Sequence, residues 1–220
     1  MTKRFLLCLT LLVALTGSLF AQDYKKTLGE TVQAFFKAKE IPEKISQSNR
    51  LNLIAKKFNT EWSAPYYAAL SKITLSYEEK DAAKKDAYLD DAEDQLANAA
   101  ALADKNNKKQ QSEIYALTAM LANARLAVDP KKRWSQYGKI FESNLEKAKE
   151  QNPDNPRIYY LKATSVFFTP KMFGGGKKKS LEYFEKADAL FAKERNDDIT
   201  VPSWGKEVND MFMAEARKED

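Results

Sequence analysis

Residues 174–180 read Gly-Gly-Gly-Lys-Lys-Lys-Ser, a composition that invites comparison with a phosphate-binding loop. Such a loop needs glycine, four intervening residues, then glycine, lysine and a hydroxyl residue, following a strand. Here Lys171 stands where the first glycine belongs and Lys178 where serine or threonine belongs, and no strand-like run precedes them. The spacing argues against nucleotide hydrolysis. A weaker chemistry is compatible with it: N–H groups at a helix start over Gly175, Gly176, Lys177 and Lys178 would hold a carboxylate or sulfate. A solvated connection explains the same residues without a ligand. The second charged cluster is Asp90, Asp91, Glu93 and Asp94. Calcium wants alternating ligands in a loop, whereas this run has helical character, so a solvated helix face is the expectation. Paired carboxylates also serve glycoside hydrolysis, but no pocket signature flanks these.

What is missing narrows the chemistry further. The chain has no histidine, and its one cysteine, Cys8, lies near the start. The commonest general base and the commonest metal ligand are therefore lacking. No metal, no cofactor and no catalytic residue is expected, and the protein reads as non-enzymatic. Its aromatic content offers more. Ten tyrosines and three tryptophans are spread over helical patterns. Tyr66, Tyr67, Tyr115, Tyr159 and Tyr160 fall on helices expected to share one concave face, and Arg157 lies beside them. Together they form a candidate groove for a peptide or a partner's helix, although core packing accounts for most tyrosines at such spacing. Trp62 and Trp204 flank the region as end plugs or ordinary core.

These residues need helices to position them. Apolar residues recur at helical period over 23–38, 43–58, 63–78, 81–103, 110–128, from Asp129-Pro130 to about 150, from Pro156 to Phe168, 177–194 and 203–216. The helix from Pro156 has Asp154 or Asn155 as its cap, and Thr169-Pro170 ends it. Its inner side is read as Ile158, Leu161, Ser165 and Phe168. That of the preceding helix is read as Trp134, Ile140, Phe141, Leu145 and Ala148. The first helix offers Leu28, Val32, Phe35 and Phe36, and the last Val208, Met211 and Phe212. A four-then-three step repeats as Ala92-Leu96-Ala99, Phe141-Leu145-Ala148 and Ser180-Phe184-Ala187. Short helices are marginal alone in water, so each must bury its stripe on a neighbour.

Ser180, Phe184 and Ala187 together resemble the second helix of a tetratricopeptide repeat, with Leu161 similar to the leucine of the first helix and Pro153 to the closing proline. Pro65-Tyr66-Tyr67, the NPR at 155–157, the triple glycine and the PSWG at 202–205 also resemble exported repeat proteins of Bacteroidetes-type bacteria that have no established activity. The resemblance implies an all-α right-handed superhelix of stacked antiparallel hairpins, with about eight helices.

The start, MTKRFLLCLTLLVALTGSLFAQD, has the charge, apolar run and small-residue end of a secretory signal peptide, with cleavage expected after Ala21. The apolar run is short of the roughly 20 residues that span a bilayer. Removing Lys3 and Arg4 from the 36 basic residues leaves 34 against 31 acidic ones, a net charge near +3. Residues 22–220 are expected to form one domain. Within it lie an N-terminal helix pair (22–61), three hairpins (62–104, 110–151, 153–195) and a C-terminal cap and tail (200–220). The expected function is a protein-interaction or scaffold module of the periplasm or cell exterior. The alternatives are a small-ligand or anion binder and, further off, a carboxylate-based hydrolase. The expected partner is an unknown protein or peptide of the envelope. Nucleic acid is not expected, because charge is not gathered into a stripe. Stable membrane insertion after leader removal is not expected either.

Overall fold

The computed structural model describes residues 22–194 and 198–218; the signal-peptide reading of residues 1–21 lies outside them. Among the described residues there are nine α-helices and no strand. They are α1 (22–37), α2 (Ile41–Lys57), α3 (Ser63–Glu78), α4 (Ala82–Leu102), α5 (Lys108–Val128), α6 (Pro130–Gln151), α7 (Pro156–Phe168), α8 (Lys177–Phe191) and α9 (Lys206–Ala216). A 3-10 turn, Lys171–Phe173, joins α7 to α8.

Punctuation in the sequence sets these limits. Asp81, Asn107, Asp129 and Asn155 each accept a backbone N–H from the first turn of the helix they precede, satisfying donors that a helix start leaves unpaired. Proline opens α6 and α7, where its missing N–H costs nothing.

Chain neighbours pack as pairs: α3 on α4, α5 on α6, α7 on α8. The first members of these pairs, α3, α5 and α7, also touch in sequence. Alanine at Ala68, Ala69, Ala92, Ala99, Ala116, Ala119, Ala148, Ala163 and Ala187 lies buried along these contacts. Leu96, Phe141, Leu145, Leu161 and Phe184 fill the spaces between, all of them buried.

Several apolar residues assigned by period to the interior are instead exposed. They are Phe36 on α1, Trp134 and Ile140 on α6, Phe168 on α7, and Val208 and Met211 on α9. α6 packs chiefly on α5 and only lightly on α7, and Trp134, in its second turn, is 67% exposed.

Candidate functional site

Two assemblies stand out, one closed and one open. The closed one centres on Arg157, at the start of α7, whose side chain has no exposed surface. One terminal nitrogen donates to Glu113 Oε1 on α5 (3.1 Å) and to Glu194 Oε1 (2.8 Å). The other donates to Glu194 Oε2 (3.3 Å) and to the Pro202 carbonyl (2.7 Å). The guanidinium lies 5.3 Å from the Trp204 ring centre and 5.8 Å from that of Phe191. Trp204 donates its indole N–H to the Tyr66 hydroxyl (2.8 Å), which donates to Glu113 Oε2 (2.8 Å). Asn155, the α7 cap, adds an amide bond to Glu113 Oε1 (2.9 Å) and another to Ser112 (3.0 Å).

Residues 198–205 close this cluster over. Asp198 takes the Lys25 ammonium of α1, Ile199 packs near Gly29, and Pro202 and Trp204 reach Arg157 and Tyr66. Tyr66, Tyr67, Arg157 and Tyr160 are buried as a result, and form interior rather than the wall of a groove. Tyr115 and Tyr159 are half-buried under ammonium groups of the paired helices, Lys147 at 5.9 Å and Lys186 at 5.1 Å. The six residues expected to line one groove are therefore split between a sealed core and separate lysine-covered rings. Trp204 is half-buried core, packing edge-on to Tyr160 at 6.2 Å.

Two carboxylates share the one guanidinium of Arg157, and the charges set proton affinities accordingly. Burial raises the Glu113 carboxyl above its ordinary value, against the pull of Arg157. Burial also works to lower Arg157, but Glu113 and Glu194 outweigh it and hold the guanidinium firmly charged. An acid with a raised folded value is more stable protonated. Its contribution is complete below the ordinary glutamate value of about 4.3 and is lost as pH rises through the folded value. Thermal melts should therefore show a stabilising increment from Glu113 on mild acidification from neutral pH, and Glu113→Gln should remove it.

In the glycine turn, two of the amides named for an anion are bonded within the protein. The Gly175 N–H donates to the Pro170 carbonyl (3.2 Å) and the Gly176 N–H to that of Val166 (2.9 Å). Both donors are committed inside the turn. The Lys177 ammonium reaches Glu215 at 3.1 Å. The acidic cluster is mostly paired: Asp90 and Glu93 bond Arg125 (2.6 and 2.9 Å), and Asp91 meets Lys72 (3.2 Å). Among the described residues no three potential ligands gather to hold a metal.

The open assembly is a cleft of about 500 Å³ along the N-terminal part of α6. Asn123 and Leu126 of α5, Ser165 of α7, and Trp134, Gly138, Lys139, Phe141 and Glu142 of α6 line it. Glu142 is held from α7 by Lys162 at 2.7 Å. Gly138 leaves one wall without a side chain, its missing Cβ position 4.0 Å from Leu126 Cδ1. Ser135, Ser143 and Glu146 complete the lining, which is mixed, with Leu126, Trp134 and Phe141 as its apolar part. Sequence reasoning took Trp134 for core and did not single out Leu126, Gly138 or Lys139.

No protein-family profile matches the chain, and neither does any curated protein sequence. Among solved structures it is similar to the HusA haemophore from Porphyromonas gingivalis. The two share 31% identity and a TM-score of 0.75, over 88% of this chain and 92% of that one. This chain belongs to the HusA haemophore family. That kinship replaces the resemblance to tetratricopeptide proteins and to exported repeat proteins without an activity: the relative is a specific haemophore, and what is shared is an all-helical fold of about nine packed helices. The protein is non-enzymatic and exported, to the periplasm or beyond, as its family implies. No helix among the described residues is long and apolar enough to cross a membrane.

Proposed function

We propose that this protein binds haem or a closely related porphyrin in the cleft between α5, α6 and the end of α7. The kinship to a haemophore carries this reading, and the cleft's size and aromatic wall support it. It favours the small-ligand alternative over a scaffold or peptide-binding module. Residues 22–220 would act as one domain, with the sealed Arg157 cluster keeping the hairpins in place while the cleft takes the cargo.

The chemistry of the lining says how. Ligand sites are mostly apolar, with a few polar groups that fix orientation. In this reading Trp134 and Leu126 would meet the macrocycle, over the buried Phe141, and Lys139 would pair with a propionate carboxylate. Haem iron is usually held by histidine, cysteine, methionine or tyrosine. Residues 22–220 contain no histidine or cysteine, and the cleft lining includes no tyrosine or methionine. The macrocycle would then be held by its faces and edge rather than through iron.

Titration of the exported protein with haemin, followed at the Soret band, should saturate at one equivalent. Metal-free protoporphyrin should compete. Trp134→Ala should weaken both by about tenfold or more, the usual cost of truncating a central aromatic anchor. No saturable change with either porphyrin would overturn the reading; tight peptide capture in its place would restore the scaffold.

A further inference from the structure

The turn between α7 and α8 pushes apolar bulk into solvent. Phe168, Met172 and Phe173 are 68, 82 and 72% exposed. The Phe168 ring meets that of Phe212 on α9 edge-on at 5.5 Å, and α9 also exposes Met211 and Val208. An apolar patch of this kind marks a place where a protein or a lipid surface docks.

The backbone of the turn favours lipid. The Phe173 N–H donates to the Pro170 carbonyl (2.9 Å) and the Gly174 N–H to that of Lys171 (3.0 Å); with Gly175 and Gly176 bonded as described above, four successive amides are satisfied inside the turn. A side chain on Gly175 would overlap the Thr169 carbonyl oxygen at 2.2 Å, and Gly174 and Gly176 hold φ of 86° and 107°, so glycine is needed for the turn to close this way. A protein partner can supply missing hydrogen bonds, but the apolar edge of a bilayer cannot. This turn presents bulky side chains on donors that need nothing from outside.

The charges agree. Lys171 is exposed within the tip, and Lys178 and Lys179 are exposed in the first turn of α8. The Lys179 ammonium lies 3.9 Å from where a Cβ on Gly174 would sit, which brings it to the tip. Glu215, a carboxylate that reaches this corner, is bonded by Lys177 and Lys218 (3.1 and 2.7 Å). Apolar side chains flanked by lysines are the combination that binds an anionic interface, one part entering the headgroup layer and the other meeting its phosphates.

We propose that the α7–α8 turn docks this exported protein on an anionic lipid surface, with Met172 and Phe173 entering the headgroup layer and Lys178 and Lys179 pairing with its phosphates. The haem-free exported protein should co-sediment with vesicles of phosphatidylcholine and phosphatidylglycerol. Partition should be about tenfold or more weaker on phosphatidylcholine alone, and should fall with added salt. The double variants Met172→Ser/Phe173→Ser and Lys178→Ala/Lys179→Ala should each lower partition by about tenfold. All these side chains are exposed, so helicity and melting should be unchanged, and porphyrin titration of the same variants should match the parent whether or not the cleft reading holds. Failure of the parent to sediment with anionic vesicles, or equal sedimentation of the variants, overturns the proposal. So does self-association of the parent that the apolar variant abolishes, which would assign the patch to a second copy.

Discussion

Arg157→Ala is expected to lower stability by about 3–5 kcal/mol, the usual cost of leaving a buried charge without its partner. Urea unfolding should show it as a lower midpoint with an unchanged slope. Glu113 and Glu194 both converge on this guanidinium, and Pro202 adds a carbonyl. Without it, a buried carboxylate faces a second carboxylate and no cation. Glu113, already raised by burial, would take up a proton more readily still, so part of the loss should be recovered on acidification. Arg157→Lys should fall in between, because a single ammonium cannot form the fork to Glu194 while also reaching Glu113 and Pro202. Trp204→Phe should cost only about 1 kcal/mol: it removes the bond to Tyr66 but leaves Tyr66 donating to Glu113. Porphyrin affinity separates this structural role from a ligand-binding one. Arg157 is sealed beneath residues 198–205 and does not line the cleft, so Arg157→Lys should bind porphyrin as the parent does.

That arginine also shows where sequence reading stops. Its position beside Tyr159 and Tyr160 suggested a residue at the edge of a groove. It holds carboxylates instead, and they are the protein's own. The bond from Trp204 to Tyr66 joins residues 138 apart in the chain, and no local period reports a crossing of that length. Helix limits were legible because they are local. Asn155 caps α7, Pro156 opens it and Thr169-Pro170 ends it, each through contacts within a few residues. The buried triplets were legible for the same reason, since a four-then-three step is one face of a helix. Trp134 is the instructive intermediate. It shares the stripe of Phe141 and Leu145, so period alone places it inside. Its exposure depends on what packs beside the start of α6, which the spacing within one helix does not report. The identity of the family was a different matter. Alanine, leucine and phenylalanine at helical spacing describe any pile of hairpins, and only whole-chain similarity to HusA separated this one from others.

Phe184→Ala is the second large effect expected, again about 3–5 kcal/mol, from lost burial and the cavity left behind. Phe184 is fully buried on α8. Its ring stacks on Phe212 of α9 at 6.2 Å with planes 11° apart, and meets Phe167 of α7 edge-on at the same distance. Its backbone carbonyl also accepts the Asn209 amide at 3.2 Å. One side chain thus ties the last hairpin together and seats the final helix on it. α9 has 11 residues, too few to hold helical structure alone in water, so its order depends on this seat. The loss in Phe184→Ala should therefore be uneven. Amide exchange in α9 should accelerate before that of α3–α5, and by more than global destabilisation alone would produce. Phe212→Ala makes the complementary test: it removes the half-buried partner from the α9 side, so exchange in α9 should rise with a smaller change in the global midpoint. Equal exchange throughout the chain in both variants would mean that the nine helices unfold as one unit, and that α9 is held by more than this aromatic contact.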